Sequence, residues 1–300
     1  MGLFDTIVAK TLPIVPRRIV RVVANRYIAG TTVDDAMATV AKLNAEGALG
    51  TIDALGEFVK SRAVAEAERE RSLTVLDRIH TLKHDSGLSV KLTSLGLDID
   101  YEFCRRNLDA IVSRAHALDL FVRIDMENTP YTDRTLTLAE EMWGKYRGSV
   151  GVVLQAYLRR TRADIARLAP SGMTFRLCKG IYRESEEDAY QGREEVQRNY
   201  LDCLRDLLDC GTYVGIATHD DVLIDGAKRM IAEKGLGHSA YEFQMLLGVR
   251  DPKRRELIAE GHRMRVYVPF GEDWYGYSVR RLQENPAIAG HIFKAMFSRR

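Results

Sequence analysis

From Gly47 onward the chain alternates between two periodicities. Short apolar runs rich in β-branched residues ("GALGTIDALGE", "GLSVKLTSLG", "LFVRIDMENT", "VGVVLQAYL", "MTFRLCKG", "YVGIATHD", "YEFQMLLG" and "RVYVPFG") are separated by longer amphipathic stretches with one polar face. Asp100 opens the stretch that runs to Leu118, and Ser185, followed by Glu186, Glu187 and Asp188, opens another. Such residues suit a helix N-terminus, where a side-chain oxygen accepts from free backbone N–H groups and acids meet the positive end of the helix dipole. Strands alternating with helices imply a parallel sheet. Eight such units in about 250 residues imply an α/β fold of the (β/α)8 barrel type, somewhat distorted. A doubly wound open sheet is the rival architecture. Its glycine fingerprint is matched only at Gly235 to Ala240, between a helix and the following strand, which is the reverse of the order a dinucleotide loop needs. That stretch reads as a helix end followed by a loop.

The pattern divides the chain into an N-terminal helical arm, residues 1–46, and a barrel, residues 47–300. In the arm Ile19, Val22, Val23 and Tyr27 recur at helical spacing with Arg17, Arg18, Arg21 and Arg26 around them. Packing of the apolar stripe on the body is the favoured reading, and peripheral contact with a membrane surface is the alternative. At the other end "YGYSVRRLQEN" places Tyr277, Arg280, Arg281 and Glu284 within roughly 100° of one helix face. This last helix is expected over the barrel mouth. Two guanidinium groups side by side repel each other unless an anion lies between them.

Composition narrows the picture only modestly. Hydrophobic residues at 46 % and charged ones at 29 % exclude a disordered chain. A net charge of +2 gives no reason to expect nucleic acid as a partner. Cys104, Cys178, Cys203 and Cys210 show no CxxC spacing and read as reduced core thiols of a cytoplasmic protein. No apolar run is long enough to span a bilayer. The opening "MGLFDT" matches a myristoylation pattern that short chains meet by chance. His80 and His84 are four apart but lack a third ligand, so no metal is expected.

Barrel enzymes assemble their sites from the C-terminal ends of the strands. Those ends carry Glu57, Lys91, Asp125, Gln155, Arg176 with Lys179, Thr218 with His219, Gln244 and Tyr267. Strands buried on both faces should be almost wholly aliphatic. A polar residue near the end of every strand therefore points to a ring around one large ligand, because unpaired buried charge is costly. Cations predominate, with Tyr182, Tyr267, Tyr277, Leu246 and Leu247 supplying aromatic and aliphatic walls. The ring suits a ligand bearing phosphates or a carboxylate on an apolar body. With no nucleophile elbow, an organic cofactor is the natural source of chemistry.

The motifs "VKLTSLG", "RIDMENT", "LQAYLRR", "RLCKGIYRE", "ATHDD", "YEFQMLLG" and "YVPFGEDWYGYSVRRLQEN" together resemble the flavin-dependent proline dehydrogenase family, in order, from about Gly47 to Asn285. The compact length resembles the monofunctional bacterial enzymes. The resemblance implies FAD as cofactor and oxidation of L-proline to Δ1-pyrroline-5-carboxylate, with electrons passed to a membrane quinone. It implies that Arg280, Arg281 and Lys91 hold the substrate carboxylate and that Glu284 braces the arginines. Tyr267, Tyr277, Leu246 and Tyr182 would wall the ring, and Asp125 would orient Lys91 or an arginine. Gln155, Arg176, Lys179, Thr218, His219 and Gln244 would hold the flavin, with Glu57 a weaker member of that shell. Arg183 departs from the bifunctional relatives, which tend to carry Trp there. Hydroxyproline dehydrogenase and a non-catalytic barrel binding an acidic metabolite are the competing readings. Oligomeric state is not legible.

Overall fold

The computed structural model describes residues 26–275, 277 and 278. Arg280, Arg281, Glu284 and the amphipathic stretch before Arg26 lie outside the described residues. Eight strands are present: β1 (Leu49–Ala54), β2 (Ser86–Val90), β3 (Val122–Ile124), β4 (Val150–Gln155), β5 (Thr174–Cys178), β6 (Val214–Ala217), β7 (Tyr241–Leu246) and β8 (Met264–Phe270). Each pairs in parallel with the next, and β8 pairs back onto β1 with Leu49 opposite Arg265, so the sheet is a closed barrel. The described helices are α1 (Val33–Ala45), α2 (Arg62–Leu82), α3 (Tyr101–Ala117), α4 (Thr132–Lys145), α5 (Thr161–Leu168), α6 (Arg193–Asp209), α7 (Asp221–Glu233) and α8 (Asp251–Ala259).

The strand period of two sorts the side chains. One set, including Ile52, Leu88, Val122, Ile124, Val152, Phe175, Ile216, Phe243 and Val266, is buried with the helices in one continuous apolar layer. Each such side chain contributes about 1.5–3 kcal/mol on leaving water. The alternate set faces the barrel axis and is polar: Asp53, Ser89, Arg123, Asp125, Arg176, Glu242, Gln244 and Arg265. Its direction follows from contacts that only the interior allows. Arg176 on β5 reaches Asp125 after β3 at 2.8 Å and Gln244 on β7 at 2.6 Å, and none of these strands are neighbours. Glycines on the even strands make room for these long side chains. A methyl group at Gly151 would collide with Arg123 and Thr174, and one at Gly215 with the Gln244 amide.

Helix ends follow local chemistry. Asp100 caps α3 by accepting from the Phe103 N–H at 2.6 Å. Thr32 and Asp35 form a reciprocal capping box at the start of α1. Helix α1 falls within the segment read as an arm, yet it lies against β1 and β8 and buries Ala36, Met37, Val40 and Leu43. The stretch just before it runs along the end of β8, where Ala29 N–H donates to the Pro269 carbonyl. Two readings require correction. Ser185 does not open a helix: its hydroxyl accepts from the Asp188 N–H within a turn, and α6 begins at Arg193, where the Glu195 carboxylate accepts from the Gly192 N–H. Cys210 is exposed at the end of α6 rather than in the core, while Cys104 and Cys203 are buried. Gly235 follows the end of α7 in the left-handed region, as a helix end requires. Among the described residues no helix is long and apolar enough to cross a membrane.

Candidate active site

The C-terminal ends of β1, β2, β3 and β8 bring together a compact ionic cluster. Lys91, directly after β2, has its Nζ 3.0 Å from both carboxylate oxygens of Asp53, 3.3 Å from Asp125 Oδ2 and 3.2 Å from the Tyr267 hydroxyl. Tyr267 donates that hydroxyl to Asp125 Oδ2 at 2.7 Å. The other oxygen of Asp125 accepts from Ser89 Oγ at 2.6 Å and Arg176 Nη1 at 2.8 Å. Arg176 also lies over the Tyr267 ring, 5.2 Å from its centroid.

The two carboxylates are not equivalent. Burial pushes both toward the neutral form, but Asp125 sits between Lys91 and Arg176 and accepts from two hydroxyls, which holds its pKa below the usual carboxylate range. Asp53 answers mainly to Lys91, and burial together with the charge of Asp125 pushes its pKa up. Burial opposes the charge of Lys91, and Asp53, Tyr267 and Asp125 outweigh that, so the ammonium is held well above its ordinary range.

The ends of β4 to β7 form the second half of the mouth. Gln155 ends β4 at 2 % exposure; its Nε2 donates to the Met126 carbonyl at 3.4 Å, and its Oε1 is buried without a partner. Lys179 is 3.4 Å from Asp220. Thr218 is buried and accepts from the Asp220 N–H at 3.1 Å. His219 Nε2 accepts from the Leu246 N–H at 2.9 Å, which assigns the proton of a neutral ring to Nδ1. Gln244 binds Arg176, and its amide nitrogen donates to Glu242 at 2.6 Å. Arg176 therefore joins the two halves.

The loop after β1 is tied to the segments that follow β2 and β3. The Thr93 hydroxyl accepts from the Phe58 N–H at 2.9 Å and donates to Glu127, whose other oxygen accepts from the Thr93 N–H at 3.0 Å. This pins Phe58 at φ 55°, a strained value for a bulky residue, directly beside Glu57. Burial raises Glu127 to about 7. Tyr182 is half-buried, and burial raises its pKa above the ordinary range. Tyr277 packs with Tyr27, Ile28 and Leu55.

Of the residues expected at the site, the structure brings Lys91, Asp125, Arg176, Gln244 and Tyr267 into one hydrogen-bonded network. Gln155, Lys179, Thr218 and His219 lie on the adjoining arc. Arg280, Arg281 and Glu284 are outside the described residues. Sequence reasoning missed Asp53, Ser89, Glu127, Glu242 and Arg265. Their signal was present as polar residues two apart within strands or just past their ends, as in Arg123–Asp125, Glu242–Gln244 and Arg265–Tyr267.

Comparison with known proteins identifies the family. Residues 36–293 match the family model described as proline dehydrogenase. The chain is 41 % identical to proline dehydrogenase 2 of Bacillus subtilis over 276 residues, covering 92 % of this chain and 91 % of the relative. It is 35 % identical to a Deinococcus radiodurans proline dehydrogenase, covering 91 % and 89 %. Among solved structures, proline utilization A of Bdellovibrio bacteriovorus superposes with a TM-score of 0.81 at 25 % identity, over 87 % of this chain but 32 % of that one. The chain thus spans about a third of that larger protein.

Proposed function

The chain belongs to the proline dehydrogenase family and is an oxidoreductase acting on proline, and from that premise we propose that it oxidises L-proline to Δ1-pyrroline-5-carboxylate with FAD as cofactor and a membrane quinone as final acceptor. The observation that carries the cofactor assignment is the unpartnered Gln155 Oε1, a buried acceptor at the mouth that requires a donor. An isoalloxazine ring N–H meets that need. Arg176 and Gln155 would hold the ring, and Lys179, Thr218, His219 and Gln244 the ribityl and diphosphate portions. FAD when bound supplies the two-electron acceptor for the hydride leaving proline C5.

The rest falls to side chains of this chain. Lys91 is held rigid by three partners and offers a fixed cation to the substrate carboxylate, alongside Arg280 and Arg281. Tyr267 and Leu246 would wall the ring, with Tyr182 and Tyr277 completing it. Asp125 acts by position: it holds Lys91 through one oxygen and Arg176 through the other and so ties the substrate half of the site to the flavin half. The imino nitrogen must be neutral for hydride to leave. Lys91 and Arg176 are offset by Asp53 and Asp125, so the surplus cations that favour a neutral amine are Arg280 and Arg281.

Anaerobic titration of the purified protein with L-proline tests the reading. Bleaching of the flavin absorbance is the expected result, and full recovery on adding a soluble quinone. A protein that binds no FAD, or whose flavin stays oxidised in proline, would refute it.

A further inference from the structure

The end of the barrel opposite the mouth holds a cavity of about 260 Å³ lined by Arg123, Thr174, Tyr213, Glu242, Arg263 and Arg265. Its charge does not balance. Glu242 is its single carboxylate, and it is already engaged by Arg265 Nε at 2.6 Å, the Gln244 amide at 2.6 Å and the Tyr213 hydroxyl at 3.0 Å. Arg263 stands 4.0 Å from Glu242 at the solvent-exposed rim. Arg123 is 4 % exposed and donates through Nη1 to the Val152 and Thr174 carbonyls, at 3.2 and 2.8 Å. Carbonyl dipoles solvate a guanidinium without cancelling its charge. Burial and the nearby Arg176 and Arg265 accordingly push its pKa down to about 9. Thr174 Oγ1, in the same wall, is buried with no partner.

We propose that this floor of the barrel is a binding site for a small multivalent oxyanion of phosphate size, held by Arg123, Arg265, Arg263 and the Thr174 hydroxyl. Guanidinium forks match tetrahedral oxyanions geometrically, and the hydroxyl can donate to one of the oxygens. The volume equals roughly nine waters at about 30 Å³ each, enough for such an anion with part of its hydration. Water alone would fill the space and leave the buried Arg123 with only carbonyl dipoles, the Phe121 ring face 4.7 Å away and a Glu242 that Arg265 already engages. Its inner wall is shared with the mouth through Arg176 and Gln244, while Arg123, Thr174, Arg263 and Arg265 lie at the opposite end of the strands from the place where the cofactor's own phosphates would lie. A hydrogen-bonded chain, Arg265–Glu242–Gln244–Arg176, runs from one to the other.

Equilibrium dialysis of the purified holoenzyme against radiolabelled inorganic phosphate, at ionic strength fixed with chloride, tests this. One saturable site per chain is expected. Arg123→Gln and the rim variant Arg263→Gln should each weaken it about tenfold or more, the loss of a charge-assisted hydrogen bond. Lys179→Gln, at the mouth, should leave it unchanged. Binding that fails to saturate, or that survives both arginine substitutions, would overturn the assignment. Loss in Lys179→Gln with both floor variants intact would also overturn it, by locating the phosphate at the mouth.

Discussion

Replacing Asp125 with Asn removes one charge from the point where both halves of the site meet. The carboxylate lies 3.3 Å from Lys91 and 2.8 Å from Arg176. At an effective dielectric of about 20 these attractions are worth about 5 and about 6 kcal/mol before solvation is counted. Desolvating the carboxylate takes back several kcal/mol, which leaves a net loss of about 3–5 kcal/mol when one partner of a buried pair is removed. For a chain of this size, at about 2 °C per kcal/mol, the thermal midpoint should fall by about 6–10 °C. Turnover at saturating proline should drop about 100-fold, because an ångström-scale shift of Lys91 or Arg176 misaligns the reacting groups. Asp53→Asn is the internal comparison. Its carboxyl is raised to about 6 and engages Lys91 but not Arg176, so an amide there should cost less than at Asp125 near neutral pH and little below pH 6. Differential scanning calorimetry and steady-state assays with excess artificial acceptor read the two quantities. Equal losses in the two variants, or near-complete activity in Asp125→Asn, would refute the assignment of distinct roles to the two carboxylates.

Three other perturbations give direct readings. Glu127, raised from 4.5 to about 7, favours its protonated form when folded, so its stabilising contribution is full below about pH 4.5 and is lost as pH rises through 7. Glu127→Gln should match the parent near pH 4.5 and exceed it by about 3 kcal/mol at pH 8, measured by denaturant melts across pH. Gly215→Ala should displace the Gln244 amide and free Arg176, costing about 1–3 kcal/mol in a urea melt and weakening flavin retention on dialysis. Gln155→Leu removes the unpartnered acceptor and should raise the FAD dissociation constant about tenfold by fluorescence titration, with the melting temperature of the apoprotein little changed.

The architecture was legible because alternation and strand number are local properties of the sequence. Each of the eight apolar runs contains a strand to within a residue, and Lys91, Asp125, Arg176, Gln244 and Tyr267 near their ends join one hydrogen-bonded network. What was not legible depends on closure. Asp53 reads as an isolated acid in "GTIDAL", and only the pairing of β1 with both β2 and β8 sets it beside Lys91. Glu242 and Arg265 look like the wet ends of strands, although they meet inside the barrel at 2.6 Å. Ser185 misled because an acidic run after serine serves a turn as well as it serves a helix. The cationic pocket inferred from residue counts proves more nearly balanced in its described part, since counting strand ends overlooked the acids lying deeper within the strands.

The pairing of β1 with β8 also bears on how the protein is made. Arg265 and Tyr267 complete the hydrogen bonding of Glu242, Lys91 and Asp125, and both belong to β8, the last of the described strands. A ribosome that has released the first seven strands therefore holds a sheet with two open edges, in which Glu242 still lacks Arg265 and the Lys91–Asp125 pair still lacks Tyr267. Translation of β8 completes the ring and the inner ion pairs together. Emergence of β8 from the exit tunnel is thus the step that lets the eight described strands close.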